Sequence, residues 1–421
     1  MRVNKVLRLA LGLVDTVVLG ACVDLVTGDL VVSVRPWRRA SSRCGVCGVR
    51  CPGYDNGSGP RRWRSVDLGL LRVYLEADVP RVRCVTHGVV VAQVPWARHN
   101  AGHTRDFDQM VAWLVKNTSR STVAQFMRVV WRTVGAIVNR VRADLDAAAG
   151  DRFAGVRRIG IDEISYKRRH KYLVVVVDHD TGRVLWLHPG RTKQTLGKFF
   201  NELGEERCHQ LELVSADGAD WIAEMVGLRA PQAQRCMDPF HVVMWAMDAM
   251  DATRRVAAKK ARTEGQKAHS ALLGPGCRFT LWKNPEDLNA RQQATLADIE
   301  RTNQDVFRAY LLKEQLRAVF AAGGEAGCEL LDKWMEWAAT CDLPAFVDLA
   351  DRMQWYVDEI KNSLVHRLSN ARVESVNTKI RLLTRIAFGF KSVEALMALV
   401  MLHLGGYDLR LPGRAMTNHP H

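Results

Sequence analysis

Three runs decide the fold: Arg157-Arg158-Ile159-Gly160-Ile161-Asp162-Glu163-Ile164, then Tyr172-Leu173-Val174-Val175-Val176-Val177-Asp178, then Arg183-Val184-Leu185-Trp186-Leu187-His188. Each is short and rich in β-branched and aromatic residues, and His179-Asp180-Thr181-Gly182 supplies a turn between the last two, so the runs read as three strands. Leu196, Phe199, Phe200 and Leu203 then share one side of a helix. A strand follows from Leu211 to Ala216, ending at Asp217. Next come a helix over Trp221–Leu228, a short strand Gln234–Met237 ending at Asp238, and a long helix from Pro239.

The order βββαβαβα is that of a ribonuclease-H-like fold, an antiparallel three-stranded meander extended by parallel βα units, and it predicts an α+β chain. Asp162 sits inside an apolar strand, where a carboxylate is costly unless something cationic offsets it. Asp217 ends the fourth strand. If the first and fourth strands are neighbours, the two carboxylates face each other at one sheet edge and can hold a divalent metal through hard oxygen ligands. Glu374 is the candidate third acid. It begins a predicted helix face that continues with Asn377, Arg381 and Arg385 at i+3, i+7 and i+11. Glu163 follows Asp162 directly and points to the other face of the strand. Asp238 reads as a helix cap or a supporting group, with the alternative that it is the second acid. His241 reads as packed or supporting, and Asp220 as a helix cap.

Charge separates the two ends of the chain. The 421 residues carry 60 Lys and Arg against 45 Asp and Glu, a net +15. Residues 1–160 hold 25 basic and 12 acidic residues, whereas 161–421 hold 35 and 33. A basic front joined to a nearly neutral back suggests a polyanion-binding module, with nucleic acid first among the candidates. No apolar stretch reaches eighteen residues, so no membrane helix is expected. The first 26 residues imitate a signal peptide, with Arg2 and Lys5 before an apolar run, but Asp15 interrupts it. The better reading is a hairpin, Val17–Leu25 and Leu30–Val34 around Thr27-Gly28-Asp29. The ten cysteines therefore belong to a reducing compartment, where metal binding is commoner than disulfides.

Cys44-x-x-Cys47 and Cys84-x-x-His87 form two knuckles whose four ligands suit tetrahedral zinc, a zinc-ribbon-like layout, with Cys51 an alternative to His87 as the fourth ligand. Arg61, Arg62, Arg64, Arg81 and Arg83 surround Trp63 in the same segment, a combination that suits phosphate contacts. A helix-turn-helix follows. Phe107, Met110, Val111, Leu114 and Val115 mark one helix, Ser121 or Thr122 caps a short second one through Met127, and Arg128-Val129 is the turn. Val134, Ile137, Val138 and Val141 line a third helix whose other face carries Arg132, Thr133, Arg140 and Arg142, a geometry able to enter the major groove. An ordinary helical hairpin is the alternative.

The layout resembles the insertion-sequence transposases of the ISL-three family. The motifs are the cysteine knuckles with Arg81-Val82-Arg83-Cys84, Gly160-Ile161-Asp162-Glu163, Asp238-Pro239-Phe240-His241-Val242-Val243, and Asn370-Ala371-Arg372-Val373-Glu374-Ser375-Val376-Asn377, continuing through Arg385 and Gly389-Phe390. The resemblance implies a DDE triad of Asp162, Asp217 and Glu374 holding two Mg (or Mn) ions. It also implies a mainly helical insertion in the 156 residues between Asp217 and Glu374, which include Trp282, Trp334, Trp337 and Trp355. His87 departs from the second Cys of many relatives.

The expected organisation is an N-terminal β-hairpin (1–35), a zinc-finger-like module (36–98), a helix-turn-helix region (99–150), and a ribonuclease-H-like catalytic domain in two parts (151–245 and 361–410). A helical insertion (246–360) and a tail (411–421) complete it. The expected activity is metal-dependent cleavage of DNA at terminal inverted repeats and transfer of the cut strand to target DNA. A homo-oligomer would work at the nucleoid in the cytoplasm of a bacterium. A transcription regulator would account for the front half without the three acids. A nuclease or resolvase acting on branched DNA would account for the acids without the paired binding modules.

Overall fold

The computed structural model describes residues 3–167, 171–387, 389, 390 and 392–414. Arg2 and the end of the expected tail, 415–421, lie outside them. The chain divides into two compact units, one of Met1–Gly150 with Thr384–His421, the other of Asp151–Leu383.

The first unit opens with a helix α1 (Val3–Ala10) and strands β1 (Thr16–Val23) and β2 (Leu30–Pro36). The hairpin is as expected, with Gly28 at φ +70° turning the chain; the helix before it is not expected from the apolar run there. Five strands follow: β3 (Gly53–Asp55), β4 (Pro60–Leu68), β5 (Leu71–Asp78), β6 (Arg81–Cys84) and β7 (Gly88–Val91). They do not form one finger. β2 pairs parallel with β5, giving a sheet in the order β1-β2-β5-β4, while β3-β6-β7 make a separate small sheet. The expected boundary at residue 35 is thereby corrected, because Val32 and Val34 share a core with Trp63, Val73, Leu75 and Trp96. A lone two-stranded hairpin is marginal in water, and pairing with β5 removes that weakness.

Three helices complete the front of this unit, α2 (Arg105–Asn117), α3 (Arg120–Phe126) and α4 (Trp131–Ala148). Thr104 caps α2 and Ser119 caps α3, two residues before the expected Ser121. Arg128, at φ +54°, makes the tight turn into α4. Phe107, Val111, Val115, Val134, Ile137, Val138 and Val141 form the core, as their spacing predicted, joined by Val123 of α3, and Leu399 and Leu402 of the helix Val393–Leu404 complete it. The expected grouping of 361–410 with the back half therefore fails for its last part: this strongly apolar helix is buried among α2 and α4.

In the second unit, β8 (Arg158–Lys167), β9 (Lys171–Asp178) and β10 (Val184–Pro189) form an antiparallel meander. After α5 (Lys193–Leu203) and α6 (Glu205–Cys208), β11 (Leu213–Ala216) lies parallel to β8. After α7 (Asp220–Arg229), β12 (Gln234–Met237) lies parallel to β11. The sheet order is β10-β9-β8-β11-β12. One face, with Ile159, Ile161, Val174, Val176 and Val214, buries Phe199 and Phe200 of α5 and Ile222 and Val226 of α7.

The chain then runs through α8 (Pro239–Thr263), α9 (Lys267–Leu272), α10 (Pro275–Trp282), α11 (Ala290–Thr302), α12 (Gln304–Ala322), α13 (Gly324–Ala339), α14 (Pro344–Gln354) and α15 (Val357–His366). These helices have their own core around Leu316, Trp334 and Phe346. Trp334 is fully buried and donates Nε1–H to the Leu312 carbonyl at 2.8 Å, whereas Trp355 is 84% exposed. Trp282 and Trp337 are half-buried. Helix α15 covers the outer edge of the sheet: Ser363 Oγ donates to the Met237 carbonyl at 2.5 Å and Asn362 Nδ2 to that of Arg235 at 2.9 Å. Covering an edge strand in this way blocks unwanted pairing. Finally α16 (Ala371–Ile386) carries Glu374.

Candidate catalytic and metal-binding sites

Strand periodicity places the acids of the second unit. Side chains two apart on a strand share a face, so Gly160 and Asp162 lie opposite to Ile159 and Ile161. Ser215 of β11 pairs with Gly160 of β8, and Ala216 pairs with Met237 of β12. Continuing those registers brings Asp217 level with Asp162 and Asp238 level with Asp217. Three carboxylates therefore stand in a row across three neighbouring parallel strands, Asp162 within β8, and Asp217 and Asp238 just past the carboxyl ends of β11 and β12, the end at which open α/β sheets bind ligands.

Helix α16 reaches this row because Gly160 has no side chain. A Cβ there would stand 2.4 Å from Val373 Cγ2 and 2.8 Å from His179 Nε2. One turn further along α16, Asn377 Nδ2 donates to Asp162 Oδ2 at 2.6 Å, while the Glu163 amide donates to Oδ1 at 2.7 Å. Two residues on a strand and four on a helix each span about 6–7 Å, so the two contacts are matched in spacing.

Burial pushes the Asp162 carboxyl up to about 6, with Asp217 and Asp238 adding repulsion and His241 opposing it. Among the described residues neither Asp162 nor Asp217 has a salt bridge. Desolvated, crowded carboxylates of this kind favour a bound cation. Asp238 is 3% exposed and already engaged. Its Oδ1 accepts from the amides of Phe240, as the cap of α8, and Asn370, at 3.3 and 3.4 Å. His241 Nε2 lies 3.9 Å from its Oδ2. Burial raises the Asp238 carboxyl. Glu374 is exposed, and desolvation followed by Asp238 holds it above the usual range, with His241 and Arg381 opposing. Asp238 and His241 thus act on both Asp162 and Glu374. Among the described residues no three of these acidic and imidazole groups bring ligand atoms within 4.8 Å of one another.

Glu163 faces away, as expected, in an ion pair with Arg191 at 2.5 Å. Asp220 opens α7, and the cap position belongs to Ala219, whose amide donates to Asp217 Oδ1 at 3.2 Å. Sequence reasoning missed His179, Ser215 and Asn370, which are buried beside the site. The only signal for Asn370 was its place at the head of the last quoted motif, and for Ser215 its place in the strand that ends at Asp217.

In the first unit Cys44, Cys47, Cys84 and His87 bring their ligand atoms within 4.8 Å of one another. Cys47 Sγ to Cys84 Sγ is 3.8 Å; His87 Nδ1 lies 3.7 Å from Cys44 Sγ and 3.6 Å from Cys84 Sγ. A tetrahedron with Zn–S of about 2.3 Å and Zn–N of about 2.0 Å has edges of about 3.8 Å between sulfurs and about 3.5 Å from sulfur to nitrogen, so the set fits zinc. The backbone amide of His87, above other causes, draws the Cys84 thiol down to about 6. Cys51 stands outside the group, with its thiol donating to the Val49 carbonyl at 3.3 Å.

The arginines expected on DNA fall into two classes. Arg64 is buried, ion-paired with Asp67 and bonded to the Ser65 carbonyl, so it is part of the core. Arg140 is bound to the buried Asp108 at 3.3 Å. The expectation for Arg64 is corrected, since its guanidinium is buried; Arg140 is half-exposed beside its acid. Arg61, Arg62, Arg81, Arg83 and Arg132 are exposed and Thr133 is half-exposed. Arg62 pairs with Glu76 and Arg81 with Asp55, while Arg83 lies over the Tyr54 ring at 5.1 Å. Arg381 and Arg385 are exposed on α16.

Three family models match the chain in order. Residues 40–87 match the zinc-finger of transposase IS204/IS1001/IS1096/IS1165, 92–142 the helix-turn-helix domain of transposase family ISL3, and 159–400 the ISL3 DDE transposase model, described as transposase. The transposase for insertion sequence element IS1557 of Mycobacterium tuberculosis is 53% identical over 409 residues, covering 93% of this chain and 91% of that protein, in both strain CDC 1551 / Oshkosh and strain ATCC 25618 / H37Rv. The transposase for insertion sequence element IS1001 of Bordetella parapertussis is 25% identical over 353 residues, covering 83% and 86%.

Proposed function

The chain belongs to the ISL3 family of transposases, and from that membership we propose that it cuts DNA at the terminal inverted repeats of an insertion sequence and joins the cut strand to target DNA. The observation that carries the chemistry is the level placement of Asp162 and Asp217 on adjacent strands, with Asn377 of the Glu374 helix bonded to Asp162. The sheet order β10-β9-β8-β11-β12 supports a ribonuclease-H-like catalytic domain, and the helices α8–α15 support an insertion within it.

Asp162, Asp217 and Glu374 would hold Mg or Mn, whose charge supplies Lewis-acid stabilisation of the phosphoryl oxygens and acidifies water. Asn377 orients the Asp162 carboxylate, and Asp238 fixes the start of α8 and the approach to α16. Hydrolysis breaks the P–O3′ bond, so the water oxygen ends on the 5′-phosphate of the downstream fragment and the upstream fragment is left with a free 3′-hydroxyl. That hydroxyl then attacks a target phosphodiester, so one P–O bond forms as another breaks, and no covalent protein–DNA intermediate is needed. The zinc-bearing module and the helix-turn-helix would bind the ends, using phosphates for affinity and base edges for register. Bringing two ends together calls for at least two copies of the chain. The protein would act at the nucleoid.

The test is cleavage of end DNA under saturating magnesium by Asp162→Asn, Asp217→Asn, Glu374→Gln and Asp238→Asn. The first three should lose several orders of magnitude in rate while keeping end binding. Asp238→Asn should keep partial activity, because an amide still accepts both backbone hydrogen bonds. A folded but inactive Asp238→Asn beside an active Asp217→Asn would move the second acid to Asp238.

A further inference from the structure

We infer that His179, Ser215 and Asn370 are positioning residues, linked by buried hydrogen bonds, that set the helix carrying Glu374 and Asn377 against the strands carrying Asp162 and Asp217. The inference rests on the proposed cleavage chemistry for its consequence, though not for its geometry.

Asn370 stands just before α16, and its carbonyl accepts from the Glu374 amide at 2.8 Å. Its side-chain Oδ1 accepts from Ser215 Oγ. Ser215 in turn lies 2.6 Å from His179 Nε2. The backbone amide of Asn370 donates to Asp238. One asparagine thus ties the first turn of α16 to the ends of β9, β11 and β12. The participants are almost fully buried: His179 is 5% exposed, Ser215 0%, Asn370 1% and Asp238 3%.

Proton accounting fixes the direction. A serine hydroxyl has one proton. Ser215 gives it to Asn370, so His179 donates from Nε2–H and is the Nε2 tautomer. Burial, reinforced by Arg372 and Arg158, lowers the His179 pKa to about 4, which keeps the ring neutral in that role.

Apolar contacts alone would not supply this precision. Val373, Val376 and Ile380 bury α16, but such contacts are non-directional and tolerate small shifts along the helix axis. Hydrogen bonds in a buried network are directional and costly to break. Glu374 sits one turn from Asn370, so an error at the network passes directly to the acid. A misplacement of about 1 Å at a reacting centre can cost on the order of 100-fold in rate.

The experiment uses the full chain and compares Ser215→Ala, His179→Leu and His179→Gln in end-DNA cleavage, with folding checked by circular dichroism and melting temperature. Glutamine offers an N–H near the position of Nε2; leucine does not. Ser215→Ala and His179→Leu should lower kcat 10- to 100-fold with end-DNA KM unchanged, and His179→Gln should stay within about threefold of wild type. Wild-type kcat in folded Ser215→Ala overturns the inference. So does a His179→Gln as impaired as His179→Leu, or a loss of kcat that only tracks the folded fraction. If His179→Leu does not fold, Ser215→Ala decides, since it removes one oxygen. Asp162→Asn in the same assay separates the two readings: full cleavage by that variant defeats the proposed chemistry and not the network.

Discussion

Asn377 Nδ2 donates to Asp162 Oδ2 at 2.6 Å, joining a residue on α16 to one 215 positions earlier on β8. The bond pairs the charge of a desolvated carboxylate with a neutral amide only. Without a cation, Asp162 is therefore a source of instability whenever it is ionised, and its pH dependence follows from that.

The folded-state pKa of Asp162 is raised from 3.8 to about 6, so its contribution to stability is fully present below about pH 4 and is lost as pH rises through about 6. Asp162→Asn should accordingly raise the melting temperature at pH 7.5 in chelator, by the equivalent of at most about 3 kcal/mol. The gain should vanish near pH 4, and magnesium should shrink it. Thermal melts across pH check this; an equal gain at pH 4 and 7.5 contradicts it.

Zinc content should follow the four ligands. Cys44→Ser, Cys47→Ser, Cys84→Ser and His87→Ala should each lose one zinc per chain on dialysis under reducing conditions, and specific end binding with it. Cys51→Ser should keep both. Elemental analysis beside an end-binding assay is the measurement, and zinc loss from Cys51→Ser alone would reassign the fourth ligand.

Arginines in the first unit should separate by burial. Arg83→Ala and Arg132→Ala should each reduce the slope of log affinity against log salt by about 1. Arg64→Ala should instead cost roughly 3 kcal/mol of stability, because it leaves the Ser65 and Val73 carbonyls without its guanidinium beside a buried gap, while Asp67 keeps Arg128. A folded Arg64→Ala with wild-type stability and weakened DNA binding would return that residue to the DNA face.

Gly160→Ala should be severe despite its size. The added methyl meets Val373 and His179 at distances no carbon tolerates. Cleavage should fall at least tenfold, and Val373→Ala in the same chain should restore part of it, because the clash then has room to relax. No rescue would mean that the approach of α16 is not what the glycine serves.

How much of this was legible in the sequence depended on the range of the signal. Asp162 and Asp217 stood out because each interrupts or ends an apolar strand, a purely local pattern. The cysteine spacing was local too, although only assembly separated His87 from Cys51. The pairing of β2 with β5 was hidden, because the residues that pair are some forty positions apart and carry no mutual mark. Arg64 reads as a DNA contact because the sequence shows charge and not the burial and neutralising partner, Asp67, that take it out of solvent. Helix Val393–Leu404 was recognisably apolar, yet nothing in its periodicity named the core it fills. The positioning of α16 by His179, Ser215 and Asn370 was invisible for the same reason: three neutral polar residues far apart in the chain acquire a role only when burial brings them together.

The helix Val393–Leu404 also bears on how the protein is born. Its leucines close the core of α2–α4, but the ribosome reaches them only after threading the whole of the second unit. At roughly 5–20 residues per second, the emerging helix-turn-helix waits on the order of ten to fifty seconds with its apolar interior unsealed. A message truncated anywhere before codon 393 would thus yield a nascent chain whose DNA-reading module is left unfinished.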